Sequence, residues 1–351
     1  MSEGIHFETT EFASTFLDPR REFEPTVERI QVRLDPLTGR SVHLAHFGAI
    51  QPQRLDLESY GRAEVKGFCP FCPEHRHRAT PRFPADVLPE GRLVAGETLL
   101  VPNLFPYDAF SAVAIMTHEH VVPLEGFTGG ILEDAFSTGL KFLRVVRSLP
   151  GAPAHALMAW NYMPPSGGGL IHPHQQYFVT GHPGNRYTEE LRACLMFDQR
   201  HGKDYWSELL REEARRGERY VAEVGGSHWL ASFAPIGVLG DLVCVFPGVF
   251  GLGDFTGKHV ASLVEGLNCL FRYFSDAGIH SFNASLFFGQ EGRKTFSAQF
   301  RIAPRTFLNT RDYASDLNFF QAVLHQPVSV VRPEDLAREV RPYFDVGRRG
   351  E

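Results

Sequence analysis

The residues best equipped for chemistry lie in Ser166-Gly167-Gly168-Gly169-Leu170-Ile171-His172-Pro173-His174-Gln175-Gln176. In extended backbone, side chains alternate between faces, so His172, His174 and Gln176 point the same way. Three polar groups on one strand face beside a triple glycine are not the composition of a core strand. Gly167, Gly168 and Gly169 let backbone approach a ligand closely, and N–H groups in such a turn can cradle phosphate oxygens. A neutral imidazole on that face can attack phosphorus and form a phosphoramidate. With an ordinary pKa of about 6.5, histidine is largely neutral at pH 7. His174 is the expected nucleophile, its other nitrogen donating to a carbonyl and fixing the tautomer. Gln176 can donate to a non-bridging phosphate oxygen but has no proton to give a leaving group. The leaving group must then depart unaided, as a phosphate or phosphate ester does. The expected chemistry is transfer of a nucleotidyl group between phosphates, with His174 and Gln176 as its catalytic pair.

Cys69-Pro70-Phe71-Cys72 is a second group with chemical capacity. Two thiolates at this spacing can grip one zinc ion, which takes four ligands tetrahedrally when structural. His75 and His77 follow closely but leave little chain to wrap round a metal. His120, in Thr117-His118-Glu119-His120, and His172 are distant candidates. A redox role for the pair would need a thioredoxin-like strand–helix–strand context, which the flanking sequence lacks. Cys194, Cys244 and Cys269 are scattered and read as small apolar residues.

Together these motifs resemble the galactose-1-phosphate uridylyltransferase family of the histidine-triad (HIT-like) superfamily. The family pattern Arg-x-Asn-Pro-Leu-Thr-Gly is similar to Arg33-Leu34-Asp35-Pro36-Leu37-Thr38-Gly39, and its Asn-x-Phe nucleotide loop to Asn103-Leu104-Phe105. Its zinc ligands fall on Cys69, Cys72, His120 and His172, and its His-Pro-His-x-Gln motif on His172 to Gln176. A later segment resembles Glu223 through Ser227-His228-Trp229-Leu230. The resemblance spans roughly residues 30 to 305. It implies an α+β, duplicated HIT-like fold of antiparallel sheets with packed helices, one structural zinc, and a nucleotidyl-histidine on His174. It also implies nucleotide or phosphate contacts at Arg33, Asn103, Phe105, Asn161 and Gly167 to Gly169, a place in carbohydrate metabolism, and a homodimer. The family's second metal site uses a His-x-His pair where this chain has Gln299-Phe300-Arg301, and its third histidine is replaced by Phe287, so no second metal is expected. The family's hexose-reading Tyr-Glu pair has no counterpart in Asp316-Leu317-Asn318-Phe319-Phe320-Gln321.

The expected activity is double displacement: His174 takes UMP or AMP from an NDP-sugar or NTP, then passes it to a phosphate or sugar-1-phosphate. The alternatives are a phosphorylase or hydrolase of ADP-sugars or dinucleotides, and a non-catalytic nucleotide-binding protein. Arg33 would neutralise a phosphate or else stand exposed on its hairpin; Arg301 and Arg305 would pair structurally with a carboxylate, or else sit where the lost metal site was or bind an acceptor phosphate.

The elements that must position these groups follow from periodicity. Ile30, Val32 and Leu34, the turn Asp35–Gly39, then Val42 and Leu44 read as a β-hairpin. Strands are expected at Thr98–Val101, Ala112–Met116, Met158–Tyr162 and Gln176–Thr180, and a helix over Ile131–Leu149. The order then recurs: a charged helix over Tyr187–Arg216 stopping at Gly217, strands at Trp229–Ala234 and Leu242–Phe246, a helix over Val260–Asp276, strands at Ala284–Phe288 and Phe296–Ile302. That weak repeat, of roughly 130 residues, implies two fused α+β units. The expected division is a polar arm over 1–29, a half over 30–186 carrying zinc and nucleophile, and a half over 187–351 without the catalytic histidines. Across 351 residues, 35 Lys and Arg against 41 Asp and Glu give a net charge of −6, which disfavours binding of a nucleic-acid polymer. No apolar run approaches the ~18 residues of a membrane span, and the first residues lack a signal-peptide pattern. Five cysteines, an odd number, suit a reducing, cytoplasmic setting. Thirty phenylalanines point to an aromatic core.

Overall fold

In a computed structural model, residues 4–62, 67–311 and 313–346 are described. Residues 1–3 of the expected arm and 347–351 of the second half lie outside them. Among the described residues, ten strands form one sheet: β4 (Leu93–Ala95), β5 (Thr98–Pro102), β6 (Phe110–Ile115), β7 (His155–Tyr162), β8 (His174–Thr180), β9 (Tyr220–Val224), β10 (Ser227–Ala231), β11 (Leu242–Phe246), β12 (Phe282–Phe287) and β13 (Ala298–Pro304). Their spatial order is β4-β5-β6-β8-β7-β12-β13-β11-β10-β9, all antiparallel. The order reads alike from either edge, with β7 and β12 meeting at the centre. Each half is a five-stranded unit with its own crossing helix, Gly129–Arg147 or Gly257–Asp276. The architecture is the expected α+β, duplicated HIT-like fold.

Strict alternation drives this arrangement. Along β7, Ala156, Met158, Trp160 and Tyr162 are buried while the residues between them are half-buried. That buried set meets Leu132, Phe136 and Leu143 of one helix and Leu263, Leu267 and Phe271 of the other in a single aromatic-rich core. Two helical glycines permit close approach. A methyl group at Gly139 would lie 1.8 Å from the ring of Tyr177, and one at Gly266 2.4 Å from Trp229.

The opposite face of the sheet is covered differently in each half. Over β10 and β11, Tyr205, Trp206, Leu209 and Leu210 of the helix Tyr205–Arg216 bury Leu230, Val243 and Val245. Over β5 and β6, the hydrophobic residue that packs on Leu99, Val101, Val113 and Ile115 among the described residues is Phe71. The single charged helix expected over Tyr187–Arg216 is two, Asn185–His201 and Tyr205–Arg216. Gly202 sits at φ +64°, which ends the first, and the Asp204 carboxylate accepts from Ser207 N–H to start the second.

The expected arm also has structure. β1 (Glu8–Asp18) pairs along its whole length with β2 (Glu24–Leu34), and β2 pairs with β3 (Ser41–Leu44) through the expected turn. The polar residues of β1 hide its strand character because both its faces are largely exposed. Among the described residues no helix is long and apolar enough to cross a membrane.

Candidate active site and metal centre

β8 begins where its sequence dictates. Pro173 has no N–H to give a ladder and occupies the position before the strand, while its carbonyl accepts from Met116 N–H at 3.0 Å. His174 then pairs with Ile115 and Gln176 with Val113 on β6, and Gln176 with Ala159 on β7. His174 and Gln176 share the face away from the helices. Gln175 and Tyr177 face the core, where Tyr177 donates to the Gln175 side-chain oxygen at 2.6 Å.

His174 Nδ1–H donates to the carbonyl of His172 at 2.8 Å. A carbonyl only accepts, so the proton sits on Nδ1 and the lone pair on Nε2. Burial pushes the His174 pKa below its ordinary value, and the bond to His172 only partly opposes this. The ring is therefore a neutral imidazole with one defined nucleophilic nitrogen. Phe71 packs edge-on against it, ring centroids 5.3 Å apart. A cavity of about 240 Å³ opens beside it, its walls including Phe71, Asn103, Phe105, Tyr107, Gly169, His174 and Gln176. Asn103 accepts from Phe105 N–H at 3.0 Å, which shapes the loop and leaves the Phe105 ring exposed at the rim. Tyr107, equally exposed, was not anticipated; an aromatic in a loop has no periodicity to mark it.

Next to the nucleophile, ligand atoms of Cys69, Cys72, His120 and His172 lie within 4.8 Å of one another. His172 Nδ1 is 3.8 Å from Cys69 Sγ and 3.7 Å from Cys72 Sγ, and His120 Nδ1 is 3.5 Å from Cys72 Sγ. Tetrahedral bonds of the usual zinc–sulfur and zinc–nitrogen lengths separate such ligands by about 3.5 Å. His172 Nε2–H donates to Thr117 O at 2.9 Å, which turns the Nδ1 lone pair toward the sulfurs, as supporting hydrogen bonds do in metal sites. Without a cation, burial and the neighbouring thiol push Cys69 up to about 11, and burial brings His172 down to about 4. Burial thus disfavours both a thiolate at Cys69 and an imidazolium at His172, and two sulfur and two imidazole donors at this spacing fit a metal ion. The distant pair His120 and His172 completes it.

The glycine loop lies across β7. Gly167 needs its left-handed φ of +82°. Ser166 Oγ accepts from Gly168 N–H at 3.3 Å. Asn161, at the end of β7, lies against Gly168. Its side-chain oxygen accepts from Asn283 of β12 at 2.7 Å, and Asn283 marks nothing in the local sequence. Arg33 is placed elsewhere. Buried between sheet and C-terminal helix (Pro333–Val346), it pairs with Glu334 at 2.9 Å, stacks over Phe233 at 4.7 Å and does not line the cavity of His174.

In the second half, β13 holds Gln299 and Arg301 where β8 holds His174 and Gln176. Arg301 is paired with Asp241 at 3.0 Å and Glu190 at 3.8 Å, and Gln299 donates to Glu190 at 3.2 Å. Arg305 is bound by both oxygens of Asp316, at 3.0 and 2.9 Å.

No family model matches the chain. Solved structures share its fold. A GalT-like protein from Arabidopsis thaliana is 15% identical with a TM-score of 0.67, covering 88% of this chain and 98% of that one. An ADP-glucose phosphorylase from Arabidopsis thaliana, solved with bound ADP-glucose, is 15% identical with a TM-score of 0.68 and coverage of 89% and 98%. A uridylyltransferase is 19% identical with a TM-score of 0.66 and coverage of 90% and 98%. In sequence, a curated protein of Archaeoglobus fulgidus, described only as uncharacterized, is 29% identical over 317 residues, 89% of this chain and 92% of its own length.

Proposed function

We propose that the chain is a nucleotidyltransferase working by double displacement through a nucleotidyl-histidine. The observation that carries this reading is the His174 ring, neutral and locked by the His172 carbonyl, with Nε2 left as its lone-pair nitrogen beside an aromatic-rimmed cavity. A nucleoside fits between Phe71, Phe105 and Tyr107, with the phosphates toward Gln176, Asn161 and Gly167 to Gly169. Nε2 attacks the α-phosphorus; the P–N bond forms, and the bond to the β-side oxygen breaks. The leaving group departs as a phosphate monoester or inorganic anion and needs no proton, which matches a site whose Gln176 has none to give. An oxygen of a second phosphate then attacks the same phosphorus, and the P–N bond breaks in turn. Positioning and charge stabilisation supply most of the acceleration in such transfers.

Zinc is the metal proposed for Cys69, Cys72, His120 and His172. With four protein ligands it is structural, and supplies the charge that settles two buried thiolates. These residues tie the loop around Phe71 to the ends of β6 and β8. The group transferred is UMP or AMP; ADP-glucose is the ligand held by one structure of the same fold. Five thiols free of disulfides suit a reducing compartment such as the cytoplasm. A homodimer would cover Phe12, Phe16, Leu17 and Val27, exposed on the β1–β2 ribbon.

Initial rates with ADP-glucose or UDP-glucose, against inorganic phosphate, glucose 1-phosphate or galactose 1-phosphate, test the proposal. Parallel double-reciprocal lines are expected for one donor. Intersecting lines, or no exchange of labelled glucose 1-phosphate into the donor in the absence of a second acceptor, contradict an enzyme-bound nucleotide.

A further inference from the structure

Asn161 and His174 stand on neighbouring strands. The ladder between them ends at the pair Ala159 and Gln176, and two residues further along each strand Asn161 and His174 fall on the same face of the sheet. The seam of the two halves lies on the other side of Asn161, which pairs with Asn283. Here a chain of hydrogen bonds has a fixed sense. A guanidinium can only donate. The Asn283 atom 2.6 Å from Arg305 Nη1 is therefore its carbonyl oxygen. The Asn283 amide nitrogen must then face the first half, where it donates to Asn161 Oδ1 at 2.7 Å and to the Ser166 carbonyl at 2.9 Å. With its oxygen turned to Asn283, Asn161 directs its NH2 group away from β12, and no described residue accepts from it. Arg305 is itself immobilised by Asp316, and its backbone N–H donates to Ser281 O at 2.8 Å.

We propose that Arg305 is a positioning residue of the second half: acting through Asn283, it holds the amide of Asn161 as a hydrogen-bond donor to the phosphoryl group at His174, and holds the Ser166 carbonyl that shapes the glycine loop. A side-chain amide left free to flip would offer an oxygen to that phosphoryl group in part of the population. Fixing the donor in advance removes that reorganisation from the reaction. This role rests on the nucleotidyl transfer proposed above.

Asn283→Asp tests it. The carboxylate still faces Arg305 but cannot donate, so Asn161 turns its NH2 toward it and offers oxygen to the site. With whichever of ADP-glucose or UDP-glucose is turned over, kcat is expected to fall about 100-fold, the scale of losing one such donor, with KM changed little. Asn161→Ala falls similarly, and the double variant no further, because both remove one donor. Arg305→Lys, which still donates, recovers most of the activity lost in Arg305→Met. Wild-type kcat in Asn283→Asp, or losses that multiply in the double variant, overturns the proposal.

A substrate-free measurement keeps it separate from the proposed activity. With 15N-asparagine labelling, the side-chain amide protons of Asn283 exchange slowly and those of Asn161 fast. In Arg305→Met the two converge. Slow Asn161 and fast Asn283 protons in the wild type overturn the relay even where no donor is turned over; absence of turnover beside the expected exchange pattern removes the enzyme reading alone.

Discussion

The two halves share one framework and differ in what covers the sheet. On β8 the outward positions are His174 and Gln176, roofed by a loop bearing Phe71 and opening on about 240 Å³ of space. On β13 they are Gln299 and Arg301, closed by Glu190, Asp241 and the helix carrying Trp206 and Leu209. The space bounded by Leu230, Val243 and Arg301 is about 30 Å³, enough for little more than a water, while a second cavity of about 290 Å³ lies against Arg301, lined also by Tyr187, Glu190, Ser285 and Phe287. A duplicated strand scaffold therefore does not by itself make a site. The halves differ in what faces their open space: His174 and Gln176 beside β8, and beside β13 an Arg301 held in ion pairs with Asp241 and Glu190. The row Gln176, Ala159, Ser285 and Arg301 crosses four hydrogen-bonded strands from one to the other. At spacings of about 4.8 Å per strand, the support starts within about 15 Å of the chemistry.

The largest contrast is catalytic. His174→Asn should reduce turnover on the order of 10³-fold or more, as removing a covalent nucleophile does. Ser285→Ala, on the same row in the other half, should stay within about threefold. Steady-state kcat on both variants checks this, and equal losses would erase the division of labour. Metal removal comes next. A strong chelator, or Cys72→Ser, should lower the unfolding temperature by several degrees with loss of about one zinc per chain by elemental analysis, since structural zinc contributes folding free energy directly. An unchanged melting temperature would mean the thiol cluster holds nothing.

Packing separates the halves less. Gly139→Ala drives a methyl group into the Tyr177 ring beneath β8. Helix propensity favours alanine by about 1 kcal/mol, but overpacking a filled core costs about 1–3 kcal/mol. The Tyr177 hydroxyl lies 2.6 Å from the Gln175 side chain and 3.1 Å from Ala135 O, which holds the ring in place. Net destabilisation of up to about 2 kcal/mol is expected by urea unfolding, and a more stable variant would show that the ring yields.

The smallest effect lies at Glu334, which joins Arg33 of the β1–β2–β3 sheet to Arg219. Burial opposes its charge, but Arg33 and Arg219 outweigh that and hold the carboxyl below its ordinary 4.5. The folded state then binds fewer protons than the unfolded one, so this stabilisation is present above pH 4.5 and is lost as pH falls through the depressed value. Arg33→Ala should weaken that acid dependence and remove about 2 kcal/mol at pH 7, the scale of a hydrogen bond to a charged group. Unfolding at pH 7 and pH 4 measures both.

Much of this was legible in the residues. Alternation located β2 and β3, apolar runs located β6, β7 and β8, and the His-Pro-His-Gln-Gln run and Cys-x-x-Cys pointed to the chemistry proposed here. The pairing of His120 and His172 with the thiols was carried by resemblance and then by geometry. What stayed hidden depends on distant partners. Glu8–Asp18 carries no buried face, so its strand exists only through pairing with Glu24–Leu34. The break at Gly202 lies inside an unbroken run of helix-forming charge. Asn161, Asn283, Arg305 and Asp316 come together only because β7 and β12 meet at the centre of the sheet. Arg33, exposed or phosphate-bound by its motif, is instead buried against Glu334 because the C-terminal helix packs behind its strand.

The claim that one imidazole carries the nucleotide is tested most directly by mass. The protein is mixed with ADP-glucose or UDP-glucose without an acceptor, quenched at alkaline pH, and weighed intact and after digestion. The account predicts an acid-labile gain equal to AMP or UMP on the peptide containing His174, discharged by adding phosphate or a sugar phosphate and absent from His174→Asn. Turnover with no such adduct, or an adduct on another residue, would contradict it.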